Sequence, residues 1–142
     1  MIHVVNGPNL NLLGKREPGI YGTRTLKEIC EELEETAFCN STQISFFQSN
    51  HEGEIIDYLQ KLKREDSVIL NAGGLAHTSI SLRDCIAAID AEVVEVHISN
   101  ITARETFRQT SLLSPVCKGV IMGLGTDVYR VALEWLIERE LN

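Results

Sequence analysis

The 142-residue sequence has no apolar run long enough to cross a membrane, and it has little positive charge. Its 13 lysines and arginines stand against 20 aspartates and glutamates, which gives a net charge of −7. An acidic surface repels polyanions, so we expect no nucleic-acid partner. The start of the chain lacks a basic segment followed by an apolar stretch. We therefore predict a cytoplasmic protein with no membrane partner.

Sequence patterns for metal ions, phosphates and covalent catalysis are also missing. The four cysteines form no CxxC pair and are predicted to be buried thiols, and the four histidines lack metal-ligand spacing. The chain has no P-loop lysine pattern, no GxSxG elbow and no lysine in an apolar stretch that would suit a Schiff base. We therefore predict no metal and no cofactor. The candidate functional groups that remain are tyrosine, histidine, arginine, asparagine and backbone N–H groups. Such a set suits proton transfer on an anionic substrate.

Five short, β-branched apolar segments alternate with segments of helical spacing. Strands are predicted at residues 2–5, 44–48, 68–71, 93–98 and 120–122. Apolar stripes predict four longer helices between and after them, the first capped by Thr25, and a shorter helix is predicted at 103–110 with Thr102 as its cap. Buried strands alternating with helices imply a parallel sheet covered on both faces. We predict one α/β domain, residues 1–142, with a flavodoxin-like five-stranded sheet.

Polar residues gather at the predicted strand ends, where parallel α/β sheets bind ligands. The loop after the first strand is long and rich in glycine and proline, as a lid would be, and it carries Asn9, Arg16 and Tyr21. The loop after the third strand carries Asn71, two glycines and His77. Each loop alone would equally suit an ordinary surface loop or a tight turn.

The fourth strand ends in a carboxylate and an imidazole on one face. Alternation of side chains places Glu95 beside His97, an arrangement that suits either a general acid or a structural buried ion pair. Arg104 and Arg108 lie four residues apart and would share one face of the predicted helix. They could clamp an anion or could simply be a solvated pair.

Taken together, these loops resemble the type II 3-dehydroquinate dehydratases. The blocks at 6–14, 16–22, 71–79, 95–100, 103–108 and 119–125 follow the order and spacing of that family. The resemblance implies a cofactor-free lyase that removes water from 3-dehydroquinate by anti elimination through an enolate. It implies a role in the shikimate pathway, for aromatic amino-acid biosynthesis, or in quinate catabolism. It also implies a homo-oligomer, usually a dodecamer built from trimers.

The resemblance assigns roles to individual residues. Tyr21 matches the catalytic base, Arg16 the cation that favours its tyrosinate form, and Asn9 a residue that helps to hold the enolate. His97 matches the general acid and Glu95 the carboxylate that orients it. The matching substrate-binding positions are Asn71, His77, Asp84, Ile98, Ser99 and Arg108. Of these, Asp84 matches a residue that reaches the active site of an adjacent subunit.

The sequence departs from the family pattern at Thr102, where many members have histidine, and we expect a modest effect on the rim of the pocket.

Two other interpretations of the function stay open. One is a non-catalytic flavodoxin-like binding module, although the acidic cluster of a receiver domain and the Ser/Thr-rich phosphate loop of a flavin module are both absent. The other is a related enzyme that acts on a different hydroxylated cyclic keto acid.

Overall fold

The computed structural model describes residues 1–142 and contains one five-stranded parallel sheet. The strands lie in the order β2-β1-β3-β4-β5. Their bounds are β1 (Ile2–Asn6), β2 (Ile44–Gln48), β3 (Ser67–Asn71), β4 (Glu92–His97) and β5 (Gly119–Met122). The order and the parallel pairing confirm the flavodoxin-like α/β fold, and each predicted strand is confirmed to within one residue at either end.

Helices connect the strands and cover both faces of the sheet. They are α1 (Pro18–Tyr21), α2 (Leu26–Cys39), α3 (Glu52–Gln60), α4 (Leu75–Thr78), α5 (Ile80–Ala88) and α6 (Asp127–Leu141). The four longer helices are those predicted from the apolar stripes. The predicted cap of α2 is confirmed, because the hydroxyl of Thr25 accepts a hydrogen bond from the backbone N–H of Glu28 at 3.2 Å.

The sheet separates two apolar cores. One core packs α2 and α6 against side chains such as Val94 and Val96, and the other packs α3 and α5 against side chains such as Val93 and Leu70. Alternation along β4 therefore directs Glu95 and His97 toward the α3 and α5 face. No helix is both long and apolar enough to cross a bilayer.

The predicted helix at 103–110 is wrong. The chain instead forms two 3-10 turns, Ile101–Ala103 and Thr106–Arg108, with Arg104 in an extended conformation between them. The first turn begins early because the Asn100 side chain accepts from the N–H of Thr102, so Asn100 and not Thr102 is the cap. As a result, Arg104 and Arg108 do not share a helix face.

The prediction of four buried thiols is wrong for one cysteine. Cys85 is buried and Cys30 and Cys117 are half-buried, but Cys39 is exposed as the last residue of α2. Its neighbour Phe38 is also exposed, so this end of the helix faces solvent.

Candidate active site

A cleft of about 130 Å³ lies beyond the carboxyl ends of β1, β3 and β4. The loops after these three neighbouring strands meet at this edge of the sheet, as ligand sites of parallel sheets do. Nine of the 11 residues predicted for the site line the cleft, namely Asn9, Arg16, Tyr21, Asn71, His77, His97, Ile98, Ser99 and Arg108. Residues spread over a hundred positions of sequence are thus brought together.

Tyr21 presents its phenol to two guanidinium groups. It is the last residue of α1, in the long loop after β1, and the Arg16 guanidinium carbon lies 4.9 Å from its ring centroid. Arg104 Nη1 donates a hydrogen bond of 2.8 Å to the phenol oxygen, and the same nitrogen lies 3.1 Å from the Ser99 hydroxyl. Two cations therefore lie beside one phenol, and one of them is bonded to its oxygen.

Arg104 is the one cleft residue with a direct polar contact to Tyr21, and it was not in the predicted set. The sequence contained the arginine, but the false helix at 103–110 placed it on the same face as Arg108. Arg108 instead lies at the cleft wall and pairs with Glu105, with 2.6 Å between nitrogen and oxygen. The extended backbone at Arg104 turns its side chain toward Tyr21, and spacing alone carries no signal for that turn.

His97 is held from behind by a buried carboxylate. Glu95 is fully buried, and its Oε2 is in close contact with His97 Nε2. Burial on its own would raise the pKa of Glu95, but hydrogen bonds from His97, Ser111 and Ser114 together hold that pKa below its usual value. The carboxylate is therefore ionised at neutral pH. Because it contacts Nε2, the other ring nitrogen of His97, Nδ1, has no contact with Glu95.

Asn71 is fixed by a buried hydrogen-bond chain that the sequence did not reveal. Its amide nitrogen donates to the Tyr129 hydroxyl at 2.8 Å, and that hydroxyl donates to the Asn6 side-chain oxygen at 2.5 Å. The Asn71 side-chain oxygen accepts from the backbone N–H of Gly73 at 3.2 Å. Burial raises the pKa of Tyr129, so it stays a phenol that can donate. The orientation of the Asn71 amide is set by these contacts.

Comparison with known proteins identifies the family. The family model described as dehydroquinase class II matches residues 1–137. The chain belongs to the class II dehydroquinases.

Curated relatives and solved structures agree with this assignment. The chain is 54% identical over 141 residues to the 3-dehydroquinate dehydratase of an Exiguobacterium species, covering 99% of this chain and 97% of the relative. It is 50% identical over 135 residues to the 3-dehydroquinate dehydratase of Bacillus pumilus, covering 94% and 92%. The crystal structure of the type II dehydroquinase from Butyrivibrio crossotus is similar with a TM-score of 0.92, at 40% identity and with 95% of each chain covered.

In this dehydroquinase, free backbone donors follow β4 inside the cleft. The N–H groups of Ile98 and Ser99 make no hydrogen bond within the chain, while the Ile98 carbonyl accepts from the N–H of Gly125 at 3.1 Å. Two successive unpaired N–H groups next to the Arg104 guanidinium form a site that suits a carboxylate.

Two residues of the predicted set lie outside the cleft lining of the dehydroquinase. Glu95 lies behind His97, with its carboxylate in contact with His97 Nε2. Asp84 is exposed on α5 and does not line the cleft of its own chain. Asn9 does line the cleft and adopts a left-handed backbone conformation with φ of 70°, with its N–H donating to the Asn50 side chain at 3.0 Å.

His77 is the second imidazole of the dehydroquinase cleft. Its Nδ1 lies 2.9 Å from the carbonyl oxygen of Thr110, and because a carbonyl only accepts, that nitrogen carries the proton. The His77 and His97 ring centroids are 6.1 Å apart in a stacked arrangement. Both rings can therefore reach one small ligand.

Proposed function

We propose that this chain dehydrates 3-dehydroquinate to 3-dehydroshikimate with Tyr21 as general base and His97 as general acid. Dehydration of 3-dehydroquinate is the reaction of its family, and close relatives named for that activity match almost the whole chain. The family's known role places the reaction in the shikimate pathway. The observation that supports these residue roles most directly is the phenol of Tyr21, bonded to Arg104 and stacked on Arg16 in the cleft that also holds His97.

The first step removes a proton from the carbon next to the ketone. Tyrosinate at Tyr21 takes that proton, and the electron pair of the broken C–H bond forms an enolate. A tyrosine phenol ordinarily has a pKa of about 10 and needs nearby positive charge to act as a base at neutral pH. Arg16 and Arg104 supply this charge, and Asn9, whose side chain makes no capping bond, lies in the cleft where it can help to hold the enolate oxygen.

The second step expels the hydroxyl group. The enolate electrons form the new carbon–carbon double bond, the C–O bond breaks, and His97 gives a proton to the departing oxygen, which leaves as water. Glu95 orients the ring and compensates the charge of the imidazolium before the proton is given up. The balance is one proton to Tyr21, one from His97 and one water released. Return of the proton from Tyr21 to His97 through solvent completes the cycle.

The remaining cleft residues bind the substrate in this proposal. Asn71 and the free N–H groups of Ile98 and Ser99 bind its carboxylate, since they present donors at one end of the cleft. His77 and Arg108 contact its hydroxyl groups. Holding the anion at one end orients the ring between the base and the acid.

Stereospecific labelling tests the arrangement of base and acid. The substrate is prepared with deuterium at one or the other position of the carbon next to the ketone, and the deuterium content of the product is measured by mass spectrometry. Anti elimination predicts that the label is lost from the position opposite the leaving hydroxyl and retained at the other. Loss of the label from the same side as the hydroxyl would contradict the placement of Tyr21 and His97 in opposite roles.

We also propose that residues 1–142 act as one catalytic domain in a homo-oligomer, a dodecamer built from trimers. The exposure of Asp84 on α5, outside its own cleft, supports a contribution of this residue to the site of an adjacent subunit. Light scattering coupled to size exclusion tests the assembly, and a monomer that is fully active would overturn it. A cytoplasmic location and the absence of a cofactor stay predictions.

A further inference from the structure

Glu95 is the one acidic side chain in the buried interior, and it receives hydrogen bonds from two serines in addition to His97. The Ser111 hydroxyl donates to Oε2 at 2.6 Å and the Ser114 hydroxyl donates to Oε1 at 2.6 Å. Both carboxylate oxygens are thus covered. A buried carboxylate without such donors would favour its neutral form, because burial penalises the charge.

The Ser111 hydroxyl can only act as a donor toward Glu95. Its oxygen accepts from the backbone N–H of Leu113 at 3.1 Å and of Ser114 at 3.3 Å. With both lone pairs occupied, its proton points to the carboxylate. The direction of this hydrogen bond is therefore fixed by the backbone, before any ligand binds.

Residues 110–114, here called the 110–114 segment, also contact the second imidazole. The Thr110 carbonyl accepts from His77, and the N–H of Leu112 donates to the Ala76 carbonyl at 2.7 Å. Arg83 donates to the Leu112 carbonyl at 2.8 Å. The segment is therefore anchored to α4 and α5 on one side and to Glu95 on the other, so it is a fixed support and not a mobile loop.

We propose that Ser111 and Ser114 are positioning residues for proton donation, because their hydroxyls keep Glu95 a carboxylate that holds His97 Nε2 and leaves His97 Nδ1 without a partner in the chain. This inference rests on the proposed role of His97 as general acid. Neither serine lines the cleft, so neither is expected to touch the substrate. In metal sites, removal of a hydrogen-bond partner that orients a ligand typically changes activity by about 10-fold to 100-fold, and we expect an effect of similar size here.

Two titratable groups face Glu95. His97 lies on its own strand, and Cys117 lies just before β5, where burial and then the charge of Glu95 raise the pKa of the thiol to about 12. Cys117 is therefore neutral at all pH values of interest, and only the Glu95 and His97 pair can change charge. The pKa of Glu95 is held low in part by Ser111 and Ser114, so loss of these donors should raise it.

The test compares Ser111→Ala, Ser114→Ala and the double variant with wild type. We expect kcat to fall by about 10-fold or more in the double variant, with KM nearly unchanged, and the acidic limb of the pH–rate profile to move to higher pH. Ser111→Thr and Ser114→Thr keep the hydroxyl, so the acidic limb of their pH–rate profiles should lie where it does in wild type. If Ser111→Ala fails to fold, Ser114→Ala alone carries the comparison, since it removes one donor and none of the backbone contacts of Ser111.

Ser49→Ala is a matched control. Ser49 is buried, donates to Glu54 at 2.5 Å and accepts from the N–H of His51 at 2.9 Å, so like Ser111 it joins a backbone N–H to a carboxylate, but outside the cleft. We expect its pH–rate profile to match wild type. An equal shift in Ser49→Ala and Ser111→Ala would mean a general loss of stability and would overturn the inference.

A measurement without turnover separates this inference from the proposed function. Carbon-13 NMR of the side-chain carboxyls, with the Glu95 signal assigned through Glu95→Gln, follows the protonation of Glu95 in the free protein. We expect its midpoint to rise in the double alanine variant. A rise in a protein with no dehydratase activity would overturn the proposed function alone. An unchanged midpoint and an unchanged pH–rate profile in an active enzyme would overturn the role of the serines alone.

Discussion

Among the single residues, the phenol of Tyr21 matters most to the proposed mechanism. Replacing Tyr21 with phenylalanine removes the base but keeps the ring that stacks on Arg16. We expect kcat to fall by about 10²-fold to 10⁴-fold, the usual contribution of a general base, while substrate binding is largely retained. Steady-state kinetics and calorimetric titration measure the two quantities separately.

Tyr58→Phe controls for the loss of a tyrosine hydroxyl as such. Tyr58 bonds to His3 at 2.8 Å and stacks on Phe47, remote from the cleft, so its removal should leave kcat close to wild type. Substantial turnover by Tyr21→Phe would exclude the tyrosinate mechanism.

Arg104 is the residue that tests how Tyr21 is activated. Arg104→Ala removes the hydrogen bond to the phenol oxygen and one of the two cations beside the ring. We expect at least about a tenfold loss of kcat at neutral pH, equivalent to about 1.4 kcal/mol of lost stabilisation. Arg130→Ala, which removes a half-buried arginine paired with Glu134 on α6, should leave kcat close to wild type. A kcat close to wild type in Arg104→Ala would argue against Arg104 as the activating charge.

Sequence patterns predicted the contact between two residues of a regular strand. They did not predict contacts that depend on the exact conformation of an irregular turn. Glu95 and His97 were placed correctly because alternation along a strand is regular. Arg104 was missed as a partner of Tyr21 because its contact depends on one extended residue between two 3-10 turns. Ser111 and Ser114 belong to a segment of irregular backbone, and no periodic pattern points from it to Glu95.

At the scale of elements, the loops after β1 and β3 must approach each other closely for the cleft to form. A Cβ atom on Gly7 would lie 2.4 Å from the carbonyl oxygen of Ala72. Gly7→Ala should therefore separate the two loops, cost at least about 1–3 kcal/mol of folding free energy and lower kcat. Chemical denaturation and kinetics check both effects.

Gly53→Ala provides the comparison for the same substitution elsewhere. Gly53 lies in α3, and a Cβ atom there meets nothing within 4 Å. Alanine should stabilise this helix by about 0.5–1 kcal/mol with no effect on kcat. A Gly7→Ala variant as stable as Gly53→Ala would show that the two loops can move apart without cost.

The start of α2 tests the energetic value of a cap next to the lid loop. Thr25→Ala removes the acceptor for the N–H of Glu28 and should lower the free energy of unfolding by about 1 kcal/mol, with kcat near wild type. Thr25→Ser keeps the hydroxyl and should retain the stability. Equal stability of the alanine variant and wild type in urea unfolding would mean that the cap contributes nothing.

The sequence predicted regular elements well and the irregular connection after β4 poorly. Buried parallel strands are continuous apolar runs, and the long helices carry apolar stripes, so both leave periodic signals. The predicted helix at 103–110 rested on a Thr102 cap, but Asn100 offers a competing side-chain acceptor two residues earlier. A periodic pattern of apolar residues does not show which of two neighbouring side chains will cap a helical turn.

At the scale of the whole molecule, the buried charge of Glu95 links stability to pH. Its pKa lies below the usual value in the folded protein, whereas a free glutamate has a pKa of about 4.3. Such a group contributes stability fully above about pH 4.3 and loses it as pH falls through the folded-state pKa. Glu95→Gln should therefore be less stable than wild type at neutral pH, and the two stabilities should converge in acid. Urea unfolding across this range checks the trend, and parallel curves would contradict it.

The assembly is the level at which a single sequence carries the least physical information. Asp84 lies on an exposed face of α5 in the single chain. The spacing of apolar residues in that helix does not show whether another subunit packs there. Only the resemblance to the family suggested a neighbouring subunit. By contrast, the net charge of −7 does not oppose the binding of an anion, because three arginines line the cleft.

Direct assay of the purified protein with 3-dehydroquinate tests whether it dehydrates this substrate without a metal ion or a Schiff base. Product formation from fresh 3-dehydroquinate is followed by the ultraviolet absorbance of the conjugated enone. Three enzyme samples are compared: one is untreated, one is treated with EDTA, and one is treated with borohydride in the presence of substrate and then freed of both before the assay. We expect the same rate in all three, because proton transfer by Tyr21 and His97 needs neither a metal ion nor a Schiff base. No product from the folded protein, or loss of activity on either treatment, would contradict it.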